Sequence, residues 1–280
     1  MKIAIMGKGG SGKSSLSWLL SNYISTSTNK KVIAIDADHN MDLTTNFGFE
    51  ADETTPTIHR KDGQFRQICG LPSVGMWAGV LDKQSQLPIS LDPVDNYTQS
   101  LSIPIEPNLN LIIGGLGCQD AIEYQKCSHG HLASLKYWLT YLPQSDTTDV
   151  IIDSVAGVDM LNYGLYLPCD IAIVAVENLP NSIKVAKQIQ AICTKISLPC
   201  YFALNKNSSL SMTEFENNNN ELQGLVKGVI PIDTNIIELN YNELKAQTIQ
   251  SLKTIYEFVA TQPVKKNLIQ ELKAFEQTKK

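Results

Sequence analysis

The sequence is short of what marks a membrane or secreted protein. No segment approaches the roughly 20 consecutive apolar residues of a membrane helix. The opening Met1-Lys2-Ile3-Ala4-Ile5-Met6-Gly7 is too short before its glycines to be the apolar stretch of a signal peptide. Six cysteines in 280 residues do not make a disulfide framework. The thiols read instead as core fillers, metal ligands or reactive groups of a reducing compartment. A basic excess is missing too: 23 Lys and Arg against 28 Asp and Glu give a net charge of −5. That balance counts against nucleic acid as the main partner, though a local basic patch remains compatible with it. There is no internal repeat. These absences lead us to expect a soluble, cytoplasmic chain with no membrane insertion. Apolar material, by contrast, is plentiful at 43% against 18% charged, enough for a real core, and the length suits one large α/β domain.

Short apolar runs at 2–6, 32–35, 109–113, 150–152, 171–176, 201–204 and 228–230 read as buried strands. Helical spacing of apolar residues falls between them, at 14–23, 121–142 and 182–196, and closes the chain at about 235–259 and 264–277. This rhythm predicts a mostly parallel twisted sheet with helices on both faces, a three-layer α/β/α architecture over residues 1–280. Residues 50–107 break it, with prolines at 56, 72, 88, 93, 104 and 107. They read as an irregular insertion of short helices and loops at one sheet edge, with a candidate short strand at 98–103. The asparagines at 217–220 read as a loop.

The strongest local signal is Gly7-Lys8-Gly9-Gly10-Ser11-Gly12-Lys13-Ser14, a G-x-x-x-x-G-K-[ST] phosphate loop between a strand and a helix. Its glycines let backbone N–H groups converge on phosphate oxygens, and the helix that follows aims its positive end at them. Gly9, Gly10, Ser11, Gly12, Lys13, Ser14 and Ser15 are therefore candidate ATP- or ADP-binding residues. Lys13 is expected to reach the β- and γ-phosphates and the Ser14 hydroxyl to ligate Mg²⁺. Asp36 and Asp38, in Ile35-Asp36-Ala37-Asp38-His39-Asn40, end the second strand. Carboxylates there suit the outer shell of Mg²⁺ and an attacking water. Asp38 is the candidate for orienting that water, Asp36 and Asp153 for the metal shell. Asp42 is weaker, with a helix N-cap as its other reading, and Asp149 reads as a solvated strand-start residue.

The extra lysine, Lys8, makes the loop resemble the deviant Walker A loop of a family of dimeric P-loop nucleotide switches. That family includes the nitrogenase iron protein, plasmid-partition (ParA) and septum-site (MinD) ATPases, and the nickel-insertion ATPase of carbon monoxide dehydrogenase maturation. The resemblance implies an ATP-hydrolysing P-loop fold that forms a homodimer in its ATP state, with Lys8 reaching the partner's nucleotide. Three further segments are similar to family motifs. Asp153-Ser154-Val155-Ala156-Gly157 fits the D-x-x-A-G switch loop, which implies that Gly157 senses the γ-phosphate. Asn205 stands where the family places an asparagine against adenine. Pro231-Ile232-Asp233 resembles a base-packing segment, with an N-cap as the other reading of Asp233.

Gly115-Leu116-Gly117-Cys118 resembles the G-x-G-C loop of the iron protein and the nickel-insertion ATPase. There, the cysteine binds a cluster or metal between subunits. The iron protein's second cysteine has no counterpart in 154–162, which counts against a bridging iron–sulfur cluster. The Cys-x-Cys of the nickel-insertion ATPase is absent too, because Gln119 and Asp120 follow Cys118. Cys127, His129 and His131 are softer candidates, with Cys118, for Zn²⁺ or Ni²⁺ at a dimer interface. Their other reading is an exposed histidine pair beside a buried thiol. The expected function is accordingly an ATPase switch that assists metallocentre assembly in a client protein. A positioning or partition ATPase, acting through nucleotide-dependent binding to a protein, DNA or membrane surface, is the alternative.

Overall fold

A computed structural model describes residues 1–72, 89–92, 94–114, 131–162, 164–207 and 210–278. The apolar runs form eight strands: β1 Lys2–Gly7, β2 Lys31–Asp36, β3 Ile103–Glu106, β4 Leu109–Ile113, β5 Thr148–Asp153, β6 Ile171–Val176, β7 Cys200–Asn207 and β8 Val226–Pro231. They lie in one sheet in the order β3-β4-β2-β5-β1-β6-β7-β8. All pairs are parallel except β3 with β4 at the edge. A parallel strand between helical layers has no solvated face, and β1, β5 and β6 are buried at every residue.

Strand alternation sends side chains into two cores. Ala4, Met6, Val150, Ile152, Val174 and Val176 join one, with Leu135, Trp138, Ile189 and Leu272 from the helices His131–Tyr141, Pro180–Lys195 and Leu268–Gln277. Ile3, Ile5, Ile151, Ile171 and Ile173 join the other, with Leu16, Leu19 and Leu20 of α1 (Lys13–Ser27) and Leu252 and Ile255 of the helix Ala246–Ala260. The thiols of Cys69, Cys169 and Cys193 lie in the first core and Cys200 packs half-buried beside it. Burial pushes Cys69 and Cys169 up to about 12, so both are protonated, unreactive thiols. No helix among the described residues is long and apolar enough to cross a membrane.

Three expectations need correction. Residues 98–103 are not one strand. Asp95 accepts from the Thr98 amide at 2.8 Å and caps a helix Asn96–Leu101 before β3 begins. The local cap outweighs the β-branched content. The asparagine run is not a plain loop, since it completes the helix Met212–Asn217 and opens a 3-10 turn Asn220–Leu222. Asp149 is not solvated: it is 1% exposed. It accepts from the Tyr256 hydroxyl at 2.6 Å and pairs with Lys30 at 3.1 Å and with the Met1 ammonium at 2.9 Å. Asp149→Ala should therefore destabilise the protein by roughly 3 kcal/mol in urea unfolding, because buried donors lose their acceptor. A change under about 0.5 kcal/mol would contradict this account.

Candidate nucleotide site

Sheet order decides where the candidate residues meet. β1 lies between β5 and β6, and α1 carries the chain from β1 to β2, two positions away. The carboxyl ends of β1, β2 and β5 therefore share one rim, where open α/β sheets bind ligands. Gly7 leaves β1 with φ 149°, and a Cβ there would stand 2.5 Å from the Ala175 carbonyl. Gly12 enters α1 with φ 85° in the left-handed region, and a Cβ there would overlap the Asn205 amide nitrogen. Only glycine fits either place. The first turn of α1 has no side-chain cap and no acidic residue, so its amides stay available to an anion. Lys13 is buried, whereas Ser14 and Ser15 are half-exposed at the helix start. The Ser11 hydroxyl is buried without a hydrogen-bond partner among the described residues. Lys8 lies at the surface, its Nζ donating to the Gly9 carbonyl at 3.0 Å.

The acidic part comes from strand register. Asp36 and Asp153 are opposite residues of the β2–β5 pair, and both are 0% exposed. Burial, and then the charge of Asp153, raise Asp36 to about 7, against the opposing hydrogen bonds of Thr44 and the Asp38 amide. Burial likewise raises Asp153 to about 6. The Ser14 and Ser17 hydroxyls and the Lys13 charge pull it down, and Asp38 pushes it up. Ser17 donates to Asp153 Oδ1 at 2.9 Å, while Oδ2 is buried with no hydrogen-bond partner among the described residues. The Asp38 amide donates to Asp36 Oδ1 at 3.2 Å, and Asp38 Oδ1 lies 3.5 Å from His39 Nδ1. Asp42 is exposed at the first residue of the short helix Asp42–Asn46.

These residues fit Mg²⁺ on two grounds. The orphaned Asp153 Oδ2 is an acceptor waiting for a donor such as a metal-bound water. In addition, two facing carboxyls, raised by burial and, for Asp36, by the charge of Asp153, favour a nearby cation. Among the described residues, no group of three or more His, Cys, Asp or Glu is arranged to hold a metal by itself. Mg²⁺ does not need one, since it keeps waters and shares phosphate oxygens.

The remaining candidates are placed less alike. The Gly157 amide donates to the Gly7 carbonyl at 2.9 Å, tying the end of β5 to the phosphate loop. Asn205 is buried, and its Nδ2 donates to the Ser11 carbonyl at 2.9 Å. Pro231 ends β8. Asp233 accepts from the Asn235 and Lys245 amides and the Thr248 hydroxyl at 3.2, 2.9 and 2.8 Å. Burial acts upward on its carboxyl, but these bonds together hold it below the usual range. The structure thus uses Asp233 as a helix cap. Cys118, Cys127 and His129 lie outside the described residues, and so does the side chain of His131. Sequence reading passed over Ser17 and Lys206. Ser17 is legible in hindsight: it lies one turn after Lys13 on α1, facing the sheet.

A family model described as the CobQ/CobB/MinD/ParA nucleotide binding domain matches residues 2–270. An uncharacterised ATP-binding protein of Methanocaldococcus jannaschii is 28% identical over 218 residues, which cover 74% of this chain and 78% of that protein. Three solved structures share the fold at low identity. A plasmid partition protein of Borrelia burgdorferi bound to AMPPNP has a TM-score of 0.60 at 20% identity, covering 92% of this chain and 97% of its own. The septum-site-determining protein MinD of Pyrococcus horikoshii with Mg-ADP has 0.61 at 17% identity, covering 93% and 96%. McdA of Cyanothece in complex with ATP has 0.62 at 17% identity, covering 95% and 98%.

Proposed function

The chain belongs to the CobQ/CobB/MinD/ParA nucleotide-binding domain family, and from that premise we propose that it is a Mg²⁺-dependent ATPase working as a dimeric switch. The observation that carries the reading is one rim holding a phosphate loop with an unpartnered Ser11 hydroxyl, a buried Lys13 and a facing Asp36–Asp153 pair with a free oxygen. In this reading the loop amides and Lys13 hold the phosphates. Ser14, Asp36 and Asp153 would hold Mg²⁺, which would neutralise phosphate charge. Asp38 orients the water whose oxygen bonds to the γ-phosphorus as the bond to the bridging oxygen breaks, giving ADP and phosphate. Asn205 and the Pro231 segment line the base side.

Lys8, on the surface beside the loop, reaches the nucleotide of a second copy. The Gly157 amide, which donates to the Gly7 carbonyl, would turn to the γ-phosphate of bound ATP, and hydrolysis would then reset the surface around it. The product of the cycle is a nucleotide-controlled binding surface, as in a positioning or partition protein. The partition, septum-site and McdA relatives favour this role. Metallocentre assembly is the second reading. It rests on the resemblance of the Cys118 loop and requires Cys118 and Cys127 to bind Zn²⁺ or Ni²⁺ between the copies.

Mass and metal content, measured by light scattering and elemental analysis with Mg-ATP or Mg-ADP, test the proposal. Wild type should be dimeric with ATP and monomeric with ADP, and Lys8→Ala should stay monomeric while binding ATP within about threefold of wild type. A monomer under both nucleotides sinks the switch. A dimer without transition metal favours positioning, and one whose Zn²⁺ or Ni²⁺ is lost in Cys118→Ala favours metallocentre assembly.

A further inference from the structure

At the end of β7 two consecutive side chains reach into the phosphate loop and take two consecutive carbonyls. Asn205 Nδ2 donates to the Ser11 carbonyl at 2.9 Å, and Lys206 Nζ donates to the Gly10 carbonyl at 2.5 Å. Lys206 is itself held from the other side, since its Nζ lies 3.1 Å from Glu177 Oε1, just past β6. Its backbone has φ 51°, a left-handed conformation uncommon for a lysine. Strained backbone at a strand end persists only where surrounding contacts overdetermine it. Here it turns a residue that would continue the β7 alternation toward the loop.

The direction of these bonds matters more than their number. An anion cradle works when successive peptide N–H groups point inward, and each N–H can do so only if neighbouring carbonyls point away. Gly10, at φ 80°, and Gly12, at φ 85°, have the backbone freedom to form such a cradle and, equally, the freedom to lose it. The Asn205 bond fixes the Ser11–Gly12 peptide, and the Lys206 bond fixes the Gly10–Ser11 peptide, whose N–H donates to the Lys8 carbonyl at 3.1 Å, so together they hold the loop backbone in one arrangement. A charge-assisted bond from a lysine already paired to a carboxylate is well suited to the task, because little side-chain freedom remains to be lost.

We infer that Lys206, braced by Glu177, is a positioning residue that pre-sets the phosphate loop for nucleotide, acting on the loop backbone rather than on the base or the phosphates. The inference rests on the nucleotide-site reading above. Lys206 is not part of the loop motif, and its position one residue past Asn205 assigns it no role by itself.

A double-mutant cycle with Lys206→Met and Glu177→Gln, read by calorimetric titration with Mg-ADP, tests it. Lys206→Met should weaken ADP about tenfold, the equivalent of one charge-assisted hydrogen bond. Glu177→Gln should weaken it about threefold, and the double variant should be no worse than Lys206→Met alone. Lys206→Arg should recover most of the affinity. Melting of the nucleotide-free proteins should stay within about 2 °C of wild type. Unchanged affinity in Lys206→Met overturns the inference. So does a Glu177→Gln variant that binds as well as wild type or better, because Lys206 would then act directly on the nucleotide. A large fall in nucleotide-free melting temperature with no rescue by arginine makes Lys206 merely structural and overturns it too. If wild type itself binds no ADP, and Lys13→Ala changes nothing, the nucleotide-site reading has failed and takes this inference with it.

Discussion

Lys13→Ala should bring ATP turnover at least about a hundredfold below wild type and weaken ATP binding by a similar factor. The residue is 7% exposed at the first position of α1, directly after the left-handed Gly12. Its charge lowers Asp153, so it already faces the buried carboxyl pair. Without it, Asp36, Asp38 and Asp153 would confront a triphosphate with no buried cation from the loop. At an effective dielectric near 20, unit charges at about 4 Å interact by roughly 4 kcal/mol. Losing about two-thirds of that attraction, roughly 2.7 kcal/mol, meets the expected factor. Far-ultraviolet circular dichroism should be unchanged, because neither sheet register nor core packing depends on this side chain. Turnover within about threefold of wild type would sink the assignment of the site.

Asp153→Asn should have two effects of opposite sign, which makes it diagnostic. The Asp36 and Asp153 carboxyls are both raised, to about 7 and about 6. A raised carboxyl binds its proton more tightly in the folded than in the unfolded state. Its contribution therefore favours folding at low pH and is lost as pH rises through the folded value. The nucleotide-free wild type should lose stability between about pH 4 and pH 7 from this source, while the variant lacks one of the two groups and relieves the other. The difference in unfolding free energy should grow from near zero at about pH 4 to roughly 3 kcal/mol in favour of the variant by about pH 8. Mg²⁺-dependent ATP turnover should fall at least about a hundredfold in the same variant. Urea unfolding across pH, paired with phosphate release, checks both. A variant less stable than wild type at about pH 8 would mean that the pair is not the repulsive one described. Retained turnover would remove Asp153 from the metal shell.

Some of this site is legible one residue at a time. The phosphate loop is contiguous, and its glycines, lysine and serine must be adjacent for the backbone to wrap an anion, so spacing alone reveals them. The candidate carboxylates stand out because strands end visibly: the apolar runs stop at Asp36 and at Asp153. What spacing does not convey is the relation between those ends. That Asp36 and Asp153 face each other follows from β2 pairing with β5 in one register, a choice made by packing across the whole sheet. Asn205 shows the same limit. That its amide crosses to the Ser11 carbonyl follows from where β7 lies beside the loop, which local spacing does not convey. Residues 98–103 differ from the expected strand for a local reason, since Asp95, three residues before Thr98, caps a helix there.

Short-range pattern is enough for the class of fold, the phosphate-loop motif and the candidate acidic residues. Each is written in strand-length apolar runs, helical spacing and glycines at turns. The tertiary structure alone decided which distant residues share the rim, that Asp149 is buried beneath Tyr256 rather than solvated, and that Lys206 crosses to the Gly10 carbonyl. These depend on strand order and register. Both are set by the summed burial of two cores on opposite faces of the sheet, a quantity that no single stretch of residues contains.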